Sequence, residues 1–249
     1  MIERVRASRY VTPLREGGSL PGVVEADDLG TYVVKFRGAG QGVKVLVAEV
    51  VVAELARTIG LRVPDLKAVD LDAVIAKYEA DEEVQDLLTA SVGLNLGVDF
   101  LPGAFGFDAH TRIDSDYAAT VLWLDALTAN VDRSWRNPNL LVWHGNVWCI
   151  DHGAALYFHH AWPAGSPEQF AKQPYDATAH VLGRHRDRVP LVSDALAERL
   201  DDLALRSAVD AVPDEWLGAE ADLARVRYID YLRARLANRE GWLPRAEAA

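Results

Sequence analysis

The sequence predicts an α+β chain of two lobes, a small β-rich one over residues 1–100 and a larger, mostly helical one over 101–249. Three observations predict it. β-Branched and aromatic runs separated by glycine turns fill the first hundred residues, and helical periodicity dominates from residue 165 onward. Between them, residues 130–153 carry two carboxylates and an amide on a loop and a short apolar hairpin.

With 249 residues, 50% of them hydrophobic and 25% charged, the chain can bury a substantial core. Its net charge of −11 argues against a nucleic-acid-binding surface, which needs clustered Lys and Arg. A single cysteine, Cys149, excludes a disulfide framework and a cysteine zinc site. Lying in Val147-Trp148-Cys149-Ile150, it reads as a buried, inert thiol. The first residues, Met1-Ile2-Glu3-Arg4-Val5-Arg6, lack the apolar core of a signal peptide, and no run reaches the ~18 apolar residues of a membrane span. A cytoplasmic location is the expectation.

In chain order, residues 8–37 read as β structure. A glycine-rich turn, Glu16 to Gly22, joins two strands, and Thr31-Tyr32-Val33-Val34-Lys35-Phe36 forms a third that carries Lys35. The turn is either a plain hairpin loop or a flap whose N–H groups cover phosphates. Gly38-Ala39-Gly40-Gln41-Gly42 fits neither a Walker A loop nor a dinucleotide fingerprint and reads as a connector. Residues 45–59 predict a helix closed by Gly60, with Glu49 set among Ala48, Val51, Val52 and Leu55. Glu49, in preference to Glu54, is the candidate partner of Lys35. A strand over 67–71 and an acidic helix over 81–88 follow. Val98-Asp99-Phe100-Leu101-Pro102-Gly103 then reads either as an edge strand ending in a turn or as a hinge whose backbone at Phe100 and Leu101 meets an adenine ring.

A helix over 116–129, capped by Asp114 or Ser115, delivers Asn130-Val131-Asp132. Asn137 stands five positions after Asp132, and the strands 140–143 and 147–150 return the chain to Asp151 and Gly153. Phosphoryl-transfer enzymes use this spacing: one carboxylate orients the nucleophile while the amide and the second carboxylate hold Mg²⁺ on the nucleotide phosphates. Farther on, 195–205 and 223–236 are the clearest helices. Arg225, Arg227, Arg233 and Arg235 of the second read as a solvated face in preference to a surface for an acidic partner. His152, His159 and His160 beside Asp151 read as satisfied or exposed side chains in preference to a transition-metal site, with His159 and His160 on opposite sides of an extended segment.

Asn130-Val131-Asp132-Arg133, Asn137 and Ile150-Asp151-His152-Gly153 resemble the HipA-like kinase family of bacteria, a likeness that extends over nearly the whole chain as one domain. The resemblance implies a protein-kinase-like fold related to the phosphatidylinositol kinases, whose Asp-Arg and Ile-Asp-His-Gly signatures are similar. It implies Asp132 as the catalytic acid, Asn137 and Asp151 as Mg²⁺ ligands, Lys35 on the ATP phosphates, and Gly17, Gly18 and Ser19 as the phosphate flap. The acceptor would be a Ser/Thr hydroxyl of a protein. A small molecule or lipid headgroup, or a non-catalytic nucleotide-binding role, are the alternatives. The sequence departs from the family's toxin kinases in carrying Ser134 where they have lysine, in having no room for their small amino-terminal subdomain, and in lacking an Ala-Pro-Glu motif. Ser134, Ser166 and Thr178 are candidate autophosphorylation sites.

Overall fold

The chain runs β1 (Glu3–Pro13), β2 (Gly22–Ala26), β3 (Thr31–Lys35), α1 (Val43–Thr58), β4 (Leu66–Leu71), α2 (Ala73–Ala76), α3 (Glu82–Ala90) and β5 (Gly93–Asp99). Next come β6 (Phe105–Gly106), α4 (Ser115–Thr128) and the hairpin β7 (Leu140–Trp143) and β8 (Asn146–Cys149). The helices α5 (Pro167–Lys172), α6 (Val189–Arg199), α7 (Asp202–Asp210), α8 (Asp214–Leu217), α9 (Ala221–Ala237) and α10 (Arg239–Trp242) complete it, with 3-10 turns at Tyr157–Ala161 and Gly183–Arg188. The computed structural model describes residues 1–15, 20–40, 42–77, 79–162 and 165–244. Two compact units are present. The first gathers Met1–Val47, Pro64–Pro102 and Val212–Ala219; the second gathers Ala48–Val63, Gly103–Ala211 and the chain from Glu220.

In the first unit five strands close into a barrel in the order β1-β2-β3-β5-β4. All pairs are antiparallel except β1 and β4, which run parallel with Glu3 opposite Lys67 and Arg6 opposite Asp70. β1 begins earlier than the sequence predicts and serves two neighbours. Register slips between Ala7 and Arg9 and between Tyr10 and Thr12 bend it away from β4 toward β2, as an extra residue in one strand does. Alternation puts Val5, Ala7, Val24, Tyr32, Val34, Val69 and Leu71 into one core, which Ala76, Val84 and Leu88 cover from α2 and α3. A Cβ on Gly97 would lie 2.6 Å from Val69 Cγ2, so only glycine lets β5 lie this close to its neighbours' side chains. The Trp216 indole of α8, buried, donates to the Leu94 carbonyl at 3.0 Å and ties the 212–219 excursion to this unit.

The second unit is built on α4, which is buried on nearly every side and packs against α6, α9 and α10. A helix covered all round needs no polar face, which is why its apolar residues are not confined to one stripe. Asp114 caps it by accepting the Asp116 and Tyr117 N–H groups at 3.0 and 2.9 Å. At its other end Ala129 turns left-handed (φ 54°) and the Asn130 N–H returns to the Asp125 carbonyl at 2.8 Å. α1 ends the same way, with Gly60 at φ +92° and the Leu61 N–H on the Ala56 carbonyl. The β7–β8 turn is His144-Gly145, both left-handed (φ 48° and 73°), the two-residue turn whose twist matches an antiparallel pair.

Three sequence expectations are corrected here. Residues 195–205 are not one helix: α6 stops at Arg199, and Asp201 caps α7 by accepting the Ala204 N–H at 2.8 Å. The 157–161 segment is a 3-10 turn and not extended, so His159 and His160 meet, their rings 4.4 Å apart, with His159 Nδ1 2.8 Å from the Tyr228 hydroxyl. The arginines of α9 are not a uniform solvated face either. Arg233 pairs with Asp202 and Asp230 and Arg225 lies 3.5 Å from Asp210, but Arg235 is 0% exposed. Among the described residues no helix is long and apolar enough to cross a membrane.

Arg235 donates to the carbonyls of Ala126 (2.8 Å), Phe170 (2.6 Å) and Gln173, joining α9 to α4 and α5, and burial pulls its guanidinium down to about 10. Alanine at this position leaves those acceptors without their donor and is expected to cost on the order of 3 kcal/mol. Urea unfolding checks this, and an unchanged midpoint would contradict the strut.

Candidate active site

The 130–153 stretch lies wholly in the second unit. Asp132 N–H donates to Asn130 Oδ1 at 3.1 Å, which folds the chain sharply as it leaves α4. Asn130 is itself fixed from three sides. Its backbone N–H and its Nδ2 both reach Asp125, and its carbonyl accepts the Tyr175 hydroxyl at 2.7 Å. The loop then closes on itself, with the Ser134 N–H on the carbonyls of Asp132 and Asn137, both at 3.0 Å. Ser134 is thereby a loop-shaping residue, its Oγ accepting the Asn137 N–H at 3.3 Å.

Asn137, read from the sequence with Asp151 as a metal ligand, reaches Asp132: its Nδ2 donates to Asp132 Oδ2 at 2.8 Å. Asn139 Nδ2 donates to the same oxygen at 3.2 Å. Both amides therefore hold Oδ2, and among the described residues Oδ1 accepts no hydrogen bond, although the carboxylate is only half-buried. Because Asn137 turns its NH₂ toward Asp132, its carbonyl oxygen faces elsewhere.

Asp151 follows β8 with φ +53°, a strained backbone for a residue with a side chain. Its neighbours on both sides are held. The Ile150 carbonyl accepts Arg133 Nη1 at 3.3 Å, and the His152 N–H donates to Glu49 Oε2 at 2.9 Å. Glu49, buried on α1, thus reaches the Asp151 segment through the His152 backbone, whereas Glu54 is paired with Arg57 one turn along the same helix. Of the other predicted residues, Lys35, Phe100 and Leu101 belong to the first unit. Lys35 ends β3 opposite Leu96. The Phe100 N–H donates to the Thr31 carbonyl at 3.0 Å, and Leu101 has its side chain buried. Gly17, Gly18 and Ser19 lie outside the described residues.

Beneath the loop is a buried polar cluster that the sequence reading missed. Arg133 Nε donates to Asp125 Oδ2 at 2.6 Å, both side chains fully buried, and His180 Nε2 donates to the same oxygen at 3.0 Å. His180 Nδ1 accepts the Leu182 N–H at 3.0 Å, so its proton sits on Nε2. Burial alone would raise the Asp125 carboxyl, but the Arg133 charge and the His180 N–H more than offset it and hold it well below the usual carboxylate range. The one sequence signal was a lone carboxylate inside the apolar run Trp123-Leu124-Asp125-Ala126-Leu127. Cys149 is buried as expected, its thiol pushed up to about 11 by that burial.

Asn137 and Asp151 offer an amide and a carboxylate oxygen, hard donors of the type Mg²⁺ takes. Among the described residues no three His, Cys, Asp or Glu side chains gather to hold a metal, and an ion completed by nucleotide phosphates needs no such set. The donor chemistry fits the ion the sequence predicts.

The family described as HipA-like kinase matches residues 8–240. Among solved structures, the Helicobacter pylori proinflammatory kinase CtkA is similar with a TM-score of 0.50 at 12% identity, over 94% of this chain and 98% of that one. The Golgi casein kinase with Mn/ADP bound gives a TM-score of 0.48 at 13% identity, over 98% of this chain and 73% of that one. A second structure of the Golgi casein kinase gives 0.43 at 12%, over 96% and 74%. At such identities the likeness to CtkA is one of fold, the two-lobed kinase-like fold. No curated protein matches the chain.

Asp125→Asn leaves Arg133 without its counter-charge and is expected to cost on the order of 3 kcal/mol at neutral pH. Asp125 has a folded pKa below its unfolded one, so its contribution is complete above the unfolded value of about 3.9 and is lost as pH falls toward the folded value. Urea midpoints taken from about pH 6 down to pH 3 should therefore draw closer for wild type and variant below about pH 4, the gap narrowing without closing. Parallel curves would contradict the depressed carboxyl.

Proposed function

The chain belongs to the HipA-like kinase family, and from that premise we propose that it transfers the γ-phosphoryl group of ATP, with Mg²⁺, to a Ser/Thr hydroxyl of a protein. The observation that carries the reading is the Asp132 carboxylate, with Oδ2 fixed by two amides and Oδ1 left to take a proton. A substrate hydroxyl hydrogen-bonded to Oδ1 is oriented toward the γ-phosphorus. As its oxygen bonds to phosphorus, the bond to the ADP oxygen breaks and the hydroxyl proton passes to Asp132. The bound ion would neutralise charge growing on the phosphate oxygens, and Asn137 and Asp151 are the residues that would hold it. In this reading Lys35 contacts the nucleotide phosphates, Glu49 orders the Asp151 segment, and the backbone at Phe100 and Leu101 serves the adenine.

A protein acceptor is favoured by the surface beside Asp132. Val131 and Trp135 are 74% and 65% exposed, and the Arg136 guanidinium stacks 4.4 Å over the Trp135 ring. Large apolar side chains at the lip of a site suit a polypeptide better than a small polar alcohol. Arg133 and His152 of the Asp-Arg and Asp-His-Gly signatures are both buried, so neither offers a surface charge to a lipid headgroup.

With labelled ATP, Asp132→Ala should lower transfer to a protein acceptor by ~100-fold or more. Thermal stabilisation by ATP and Mg²⁺ should persist in the variant. Undiminished transfer would overturn the role of Asp132, and label passing only to small alcohols or inositol lipids would overturn the acceptor.

A further inference from the structure

Asp132 and Arg133 are adjacent in sequence and opposite in fate: the carboxylate stays at the surface and the guanidinium is 2% exposed. Four groups receive that guanidinium. Nε reaches Asp125, Nη1 reaches the carbonyls of Asn139 and Ile150, and Nη2 lies 3.3 Å from His152 Nδ1. The Arg133 carbonyl also accepts the Val181 N–H at 3.1 Å. Asn139 is the residue whose amide holds Asp132 Oδ2, and Ile150 and His152 flank Asp151. One buried side chain is therefore bonded to the support of the proton acceptor and to both neighbours of the metal-holding carboxylate.

We propose that Arg133 is a positioning residue for phosphoryl transfer, setting Asp132 and Asp151 in their mutual register; the proposal rests on the functional reading above. Only arginine has the planar fork of five N–H donors that can meet a carboxylate, two carbonyls and an imidazole at once, and lysine, with a single ammonium, cannot. Asp151 needs such support. Its left-handed backbone persists only where the surroundings over-determine it, and bonds to the residues before and after it do that. Arg133 reaches no substrate in this arrangement and acts through its neighbours.

The test is Arg133→Lys, which keeps the charge and removes the fork. Thermal shifts with ATP alone and with ATP across a Mg²⁺ titration are measured beside transfer kinetics, for wild type, Asp132→Ala and Arg133→Lys. A folded lysine variant is expected to keep the shift due to ATP alone. Its half-saturating Mg²⁺ concentration should rise, and its kcat fall, by roughly 10–100-fold, as when outer supports of metal ligands are removed, with little change in KM for ATP. Lower thermal stability with an unmoved Mg²⁺ titration and unmoved kcat would show a structural role only and overturn the proposal. A wild-type chain with no Mg²⁺-dependent shift and no transfer overturns the functional reading and this proposal with it. If the lysine variant does not fold, Asp125→Asn, which leaves the fork but loosens its anchor, should shift the Mg²⁺ titration in the same direction, and no shift there overturns the proposal.

Discussion

A charge pair shut away from water governs the second unit. Arg133 and Asp125 are both fully buried, so each would carry a desolvation penalty of several kcal/mol were the other absent. The pair persists because every remaining polar edge is also engaged. Asp125 Oδ1 accepts from Asn130, Oδ2 accepts from Arg133 and His180, and the rest of the guanidinium fork goes to Asn139, Ile150 and His152. Such a network tolerates no sliding. It pins α4, the loop after it, both open ends of the β7–β8 hairpin and the 180–182 segment to one another. The carboxylates at its rim inherit that rigidity, which the proposed phosphoryl transfer by positioning would require.

The same logic of buried cation and backbone acceptor recurs around Arg235, which fastens α9 to the carbonyl ends of α4 and α5. The first unit is held differently, by a closed strand order that leaves no barrel edge unpaired and by an apolar interior roofed by α2 and α3. Its polar fastenings are mostly at the surface, such as the Arg9–Glu25 and Lys67–Glu3 pairs, where water screens them.

What the sequence reveals follows from range. The five-residue spacing of Asp132 and Asn137 was legible, though their mutual hydrogen bond was not; so were the hairpin that carries Asp151, a cap at Asp114 or Ser115 and the Gly60 stop, all of which rest on local chemistry. The parallel β1–β4 closure was not, because Glu3 and Lys67 are far apart in the chain and no local pattern distinguishes a barrel strand from an open edge. Arg133 illustrates the limit most sharply. Its sequence neighbour is the proposed proton acceptor, yet only the fold reveals that Arg133 points inward, since its counter-charge Asp125 lies a turn of helix and a loop away and His180 farther still. The α9 arginines mislead for the same reason: composition shows charge, and burial of Arg235 depends on the helices that come to cover it.

The most direct test is a crystal grown with Mn²⁺ and a non-hydrolysable ATP analogue, read by the anomalous signal of the metal. Coordination at roughly the 2 Å expected of such an ion by Asn137 Oδ1 and an Asp151 carboxylate oxygen, with the analogue's phosphates completing the shell and Asp132 Oδ1 facing the γ-phosphate, is the predicted result. A metal peak away from Asn137 and Asp151, or phosphates lodged away from Asp132, would contradict it.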